Sequence, residues 1–184
     1  MIFYGLGNNE VKYLNTKHNI GRLLVEKLAQ KLGATNFAKQ DQIWVSNYKT
    51  HTFCYSNGYM NLSGEPLFSF CKYYKHDPKT TILVIIQDDS DQIVGKQKIV
   101  IGGGNAGHNG IISINNHFKS WDKIYKIKIG IRPSLNKSKS ETFVLSKISQ
   151  EEELRTLILV DFLAQNYPLL ETNFGKFQSY FNSL

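Results

Sequence analysis

Only two cysteines, Cys54 and Cys71, and four prolines occur in the 184-residue chain. So little cysteine gives no disulfide framework and no CxxC pair. No run approaches the ~18 consecutive apolar residues of a membrane-spanning helix. The first residues, Met1-Ile2-Phe3-Tyr4-Gly5, lack the charged start and long apolar core of a secretory signal. A cytoplasmic location without a membrane partner is the expectation. Charged residues make up 20% and hydrophobic residues 41% of the chain. That composition excludes a disordered chain, a collagen and a coiled coil. The length suits one domain, expected over residues 1–184, with a core that needs no staples.

The charge is uneven. Lys and Arg number 22 against 15 Asp and Glu, a net charge of +7. Within 119–147 lie Lys119, Lys123, Lys126, Lys128, Arg132, Lys137, Lys139 and Lys147, against Asp122 and Glu141 alone. The segment after it is acidic. Clustered cations of this kind neutralise phosphates and steer nucleic acid, or simply form a solvated surface.

Hydrophobic patterning predicts alternating strands and helices. Ile2–Leu6 reads as a short buried strand broken by the loop Gly5-Leu6-Gly7-Asn8-Asn9. Leu23, Leu24, Leu28 and Leu32 recur at helical spacing up to Gly33. Two strands are expected within 42–57, around Tyr48-Lys49-Thr50, and a helix over 63–74 with Ser63 as N-cap. The run Thr81-Ile82-Leu83-Val84-Ile85-Ile86 suits a strand buried on both faces. Gln87-Asp88-Asp89-Ser90-Asp91 is expected as the loop that follows. Further strands are expected at 98–101 and 125–131, and helices at 110–118, 151–167 and 174–181. Asn136–Ser140 reads as a polar loop. The class is α/β, with a mixed sheet flanked by helices.

Gly102-x-Gly104-x-x-Gly107 matches a dinucleotide-binding fingerprint only in its letters, since no acidic residue ends the next strand. No two histidines have the spacing of a helical metal pair, and no GxSxG elbow presents a serine nucleophile. What remains is histidine with aspartate among carboxamides: His18-Asn19, Met60-Asn61, Asp88 and His108-Asn109, with Asn8 in the first loop. In open α/β sheets, ligands gather beyond the carboxyl ends of strands, where Asn8 and Asp88 are expected. Histidine can take a proton from water near neutral pH, a carboxylate can fix its tautomer, and asparagines can orient an amide-bearing substrate without titrating. That set suits water attack on an ester, whose alkoxide leaves more readily than an amine.

Gly5-Leu6-Gly7-Asn8, Tyr13 with Lys17-His18-Asn19-Ile20-Gly21, and Tyr59-Met60-Asn61-Leu62-Ser63-Gly64 occur in this order. They are followed by Asp88, Gly102-Gly103-Gly104-Asn105-Ala106-Gly107-His108-Asn109-Gly110, Ile127–Ile131 and Phe143-Val144-Leu145. Together they resemble bacterial-type peptidyl-tRNA hydrolases. The resemblance implies a compact α/β/α domain and hydrolysis of the ester between peptide and tRNA, recycling tRNA from prematurely released chains. It implies that His18 is the general base, that Asp88 orients it, and that Asn8 helps discriminate blocked from free aminoacyl-tRNA. Tyr13, Tyr59, Asn61 and Asn109 would contact the peptidyl and 3′-terminal part of the substrate, with Met60 and His108 lining the same cleft. No metal or organic cofactor and no obligate protein partner is implied, and a monomer is expected.

The chain departs from the family pattern in four places, one of them Ser90-Asp91-Gln92-Ile93, which replaces a more apolar, proline-containing segment. Asn9 stands where the family usually has proline. Gln87 stands where a histidine commonly precedes the acid. Val100 and Lys128 occupy the places of a basic pair on the tRNA 5′ phosphate, so Lys96, Lys98 or Lys126 would have to supply the missing charge. Two rival readings are a catalytically silent RNA-binding relative and a nucleotide-cofactor enzyme using the Gly102–Gly107 turn.

Overall fold

The structure, a computed structural model, describes residues 1–133 and 143–184. Among these residues, seven strands form one mixed sheet: β1 (Ile2–Gly5), β2 (Ala38–Gln40), β3 (Ile43–Tyr48), β4 (His51–Ser56), β5 (Leu83–Ile93), β6 (Gln97–Ile101) and β7 (Ile124–Arg132), in the order β2-β3-β4-β1-β5-β7-β6. β1 runs parallel to β4 and β5, and β5 parallel to β7. The β2-β3-β4 edge and β6 are antiparallel to their neighbours.

Among the described residues, six α-helices cover the sheet: α1 (Ile20–Leu32), α2 (Gly64–Tyr73), α3 (Asn109–His117), α4 (Gln150–Asn166), α5 (Leu169–Thr172) and α6 (Phe174–Asn182). Successive strand side chains point to opposite faces. In β5, Val84 and Ile86 therefore pack with Leu24, Leu28, Leu159, Leu163 and Phe177 of α1, α4 and α6. Leu83 and Ile85 pack instead with Leu67, Phe70, Ile111 and Ile114 of α2 and α3. The unbroken apolar run in the sequence is the signature of this double burial. α1 ends as its sequence predicts, on Gly33 in the left-handed conformation at φ 74°. Its first turn presses so closely on the sheet that a Cβ on Gly21 would overlap the Ile86 carbonyl.

The structure corrects several expectations. β2 is an additional short strand, mostly exposed, with little apolar pattern to announce it. Ser63 is not a side-chain cap. Its own backbone is helical, and its hydroxyl donates back to the Met60 carbonyl at 2.8 Å. Gln87, Asp88 and Asp89 are not a loop but buried residues within β5, which continues to Ile93 with an irregularity after Asp89. Apolar patterning cannot show a strand whose far half is built from carboxylates satisfied by partners elsewhere in the chain. The expected polar loop 136–140, with Lys137 and Lys139, lies outside the described residues.

One buried ion pair fixes the segment before α1. Lys17 Nζ lies 2.8 Å from Glu152 Oε1, with side chains 9% and 2% exposed. Glu152 also closes a capping box: its Oε2 accepts from the Ser149 backbone N–H, while Ser149 Oγ accepts from the Glu152 N–H. Removing one partner strands a charge in the interior. Glu152→Ala is therefore expected to cost about 3–5 kcal/mol of stability, read from denaturant unfolding. A loss below about 1 kcal/mol would show the pair to be solvated.

Candidate active site

The backbone of the His18 turn is fixed from outside. The Lys17 N–H donates to the Ser146 carbonyl and the His18 N–H to the Val144 carbonyl, at 2.9 and 2.8 Å. The loop after β1 is locked to the same turn by two side-chain bonds. Asn19 Oδ1 accepts from the Asn8 N–H at 2.7 Å, and Asn19 Nδ2 donates to the Asn8 carbonyl at 2.8 Å. The middle of β5 then brings Asp88 to His18.

Asp88 Oδ1 lies 2.9 Å from His18 Nδ1 and 2.9 Å from His108 Nε2. These contacts assign the ring protons. His108 Nδ1 accepts from the Gly110 N–H at 3.1 Å, so in the neutral ring Nε2 carries the hydrogen and donates to Asp88. His18 likewise donates from Nδ1, which leaves the lone pair on Nε2 free. Burial alone would raise the Asp88 carboxyl. His108 and His18, by charge and hydrogen bonding, outweigh it and hold the group well below the usual carboxylate range. Burial also opposes the His18 imidazolium, but the Asp88 charge and hydrogen bond prevail and raise its pKa above the ordinary value.

His18 opens onto a groove of about 480 Å³ lined by Asn8, Tyr13, Tyr59, Met60, Asn61, Asn109, Val144 and Leu145. Asn8 is 7% exposed and its Oδ1 accepts from the Met60 N–H at 2.8 Å. That bond fixes the carboxamide with its NH₂ group as the end left for a ligand. Tyr59 and Leu145 are about half exposed at the rim. Eight of the site residues expected from sequence thus converge: His18, Asp88, Asn8, Tyr13, Tyr59, Met60, Asn61 and Asn109.

Two do not take their expected places. His108 does not line the groove, because its ring turns inward to the carboxylate. Lys128 is turned to Asp89, at 3.4 Å, with Lys98 3.6 Å from the same carboxylate oxygen. Lys126 cannot replace the charge missing at Val100. It is 1% exposed and donates to the Gly103 carbonyl at 2.9 Å, pinning the loop before His108. Nor is the basic segment a single stripe. Lys119 and Lys123 precede β7, at the end of the sheet away from His18, while Lys128 and Arg132 lie toward the near end. Sequence reasoning passed over Val144 and Leu145 as groove residues and Asn19 as the clamp on Asn8. The motif block ending in Leu145 was the available signal for the first two.

Among the described residues, the donor atoms of His18, Asp88 and His108 lie within 4.8 Å of one another, close enough for a metal ion. In the arrangement described, one Asp88 oxygen accepts from both rings. In the glycine-rich turn Gly102, Gly103 and Gly107 adopt positive φ, a backbone conformation that favours glycine.

A family model described as peptidyl-tRNA hydrolase matches residues 2–183. A peptidyl-tRNA hydrolase of Aliarcobacter butzleri (strain RM4018) is 38% identical over 154 residues, covering 82% of this chain and 81% of the relative. One of Sulfurovum sp. (strain NBC37-1) is 31% identical over 185 residues, covering 98% and 95%. The crystal structure of peptidyl-tRNA hydrolase from Acinetobacter baumannii superposes with a TM-score of 0.81 at 28% identity, covering 99% of this chain and 94% of that one. With a seven-stranded mixed sheet between helices and a match over nearly its whole length, the chain belongs to the peptidyl-tRNA hydrolase family, hydrolases that act on ester bonds.

Proposed function

We propose that this groove hydrolyses the ester between a peptide and the 3′-terminal ribose of tRNA, with His18 as general base. The observation that carries the reading is the His18–Asp88 hydrogen bond, which commits Nδ1 to donation and leaves Nε2 to accept a proton from water. Asp88 holds that tautomer and stabilises the imidazolium as it forms. His108, fixed by Gly110, shares the carboxylate and holds it in place. The leaving group is a ribose alkoxide that takes up the released proton, so the step needs no covalent nucleophile.

Asn8 supplies the discrimination. Its NH₂ group donates to a carbonyl, which an N-acylated aminoacyl group presents next to the ester. A free aminoacyl group presents an ammonium there, which has donors and no acceptor. Tyr13, Tyr59, Asn61 and Asn109 line the walls on either side of the bound peptidyl end. The described cations with exposure, Lys96 and Lys98 among them, position the tRNA backbone without reading its sequence. The chain acts as one domain over 1–184, in the cytoplasm, as a monomer that recycles tRNA from prematurely released chains.

The test is hydrolysis of an N-acetyl-aminoacyl-tRNA beside its unblocked counterpart. Cleavage of the blocked ester with the free one largely spared is the expected result. RNA binding with neither ester cleaved would favour the silent-binder reading and overturn this one.

A further inference from the structure

A second, smaller pocket of about 190 Å³ adjoins the groove, lined by Asn9, Glu10, Asn57, Gly58 and Tyr59. Tyr59 lines both spaces and forms the partition between them. The polar groups of this pocket are held by a chain of side-chain bonds. Arg22 Nη1 donates to Asn9 Oδ1 at 2.6 Å, and Asn9 Nδ2 donates to Asn57 Oδ1 at 2.5 Å. Trp44 Nε1 donates to that same Asn57 oxygen at 2.9 Å. Both ends of the chain, a guanidinium and an indole, can only donate. The orientations of both carboxamides follow without ambiguity, and Asn57 must present its NH₂ group away from the network. Arg22 is anchored in turn by Glu26 at 2.9 Å and lies 4.2 Å over the Tyr55 ring. The Asn9 N–H also holds the Gly58 carbonyl, at 3.1 Å. Glu10, in the same lining, is a carboxylate acceptor whose Oε2 lies 2.7 Å from Lys12 Nζ.

The side pocket therefore offers one oriented amide donor and one carboxylate acceptor, the complement of a peptide backbone. Asn8 offers the same kind of donor on the groove side of Tyr59. An extended chain advances ~3.3–3.6 Å per residue, so a peptide whose first amide meets Asn8 passes Tyr59 with its next. We infer that the pocket beside Tyr59 is a subsite for the second amide of the peptide counted back from the ester, with Asn57 Nδ2 donating to its carbonyl. The inference rests on the hydrolase reading above and adds a specificity-determining residue to it. Asn9, which lies outside the family's usual pattern, is the positioning residue that orients Asn57.

The experiment compares kcat/KM for N-acetyl-leucyl-tRNA, with one amide, and N-acetylglycyl-leucyl-tRNA, with two, on the same tRNA. Wild type and Asn57→Asp are assayed side by side. The aspartate keeps an acceptor for Asn9 and Trp44 but has no hydrogen to donate. Wild type is expected to favour the two-amide substrate by about five-fold, the worth of one neutral hydrogen bond, and Asn57→Asp to bring that ratio close to one. An equal ratio in the two proteins overturns the subsite while leaving the hydrolase reading intact, whether or not the variant loses overall activity. A purely structural effect of the substitution gives that same equal ratio. Failure of wild type to cleave either ester overturns both.

Discussion

Replacing His18 by alanine is expected to lower kcat for a blocked aminoacyl-tRNA by about 10²–10⁴, the usual worth of a positioned general base. Folding and tRNA binding should survive. His18 is held through its backbone N–H to Val144, a bond the alanine keeps, and its ring is the only part removed. Asp88 retains His108 as a partner, so the substitution does not leave an unpaired buried carboxylate. The loss should therefore fall on turnover and spare KM, as for an interaction realised only in the transition state. Turnover within ten-fold of wild type would remove His18 from the mechanism.

Asp88→Asn is expected to cost a similar factor, about 10²–10⁴ in kcat, by a different route. The carboxylate is acceptor-only and so takes hydrogens from both rings at once. An asparagine there presents an NH₂ group that can donate to His18 Nδ1, which favours the tautomer with the ring hydrogen on Nε2 and depletes the base without abolishing it. The imidazolium formed on proton transfer also loses its counter-charge. Single-turnover kinetics should show a slowed chemical step with tRNA affinity kept, and melting near the wild-type temperature would locate the effect in chemistry. Full activity in this variant would mean that the tautomer is set by something else.

How far the sequence disclosed this site depends on what kind of information each part needs. α1 was legible because leucines at helical spacing and a terminal glycine are local signals, and β5 because double burial writes an unbroken apolar run. Asn8, His18 and Asp88 could be named as a set by their chemistry and by the family resemblance. Their meeting could not be read from spacing, because 70 positions separate His18 from Asp88. The strand character of Gln87–Asp89 was hidden for the same reason: polar residues become strand residues only when distant partners satisfy them. His108 illustrates the converse. Sequence placed it at the cleft, and the Gly110 N–H on its Nδ1 turned it to the carboxylate instead. Lys126 and Lys128 look alike in a basic segment, yet sheet register buries the first against Gly103 and pairs the second with Asp89. Asn9 stands where the family usually has proline, whose ring would fix the backbone of the loop. In the fold it is an exchange, with the ring of a proline replaced by a side chain tied to Arg22 and Asn57.

The central claim is that the Asp88 charge sets the proton affinity of His18. The most direct measurement is the pH dependence of kcat/KM in wild type and in Asp88→Asn. His18 must be neutral to accept a proton, so the rate falls as pH drops through its pKa. Asp88 raises that pKa against the effect of burial, and the wild-type acid limb is expected above ~6.5, the ordinary histidine value. With the charge gone, burial alone remains and the limb should move below ~6.5. An acid limb at the same pH in both proteins, or one that moves upward in the variant, would contradict the account.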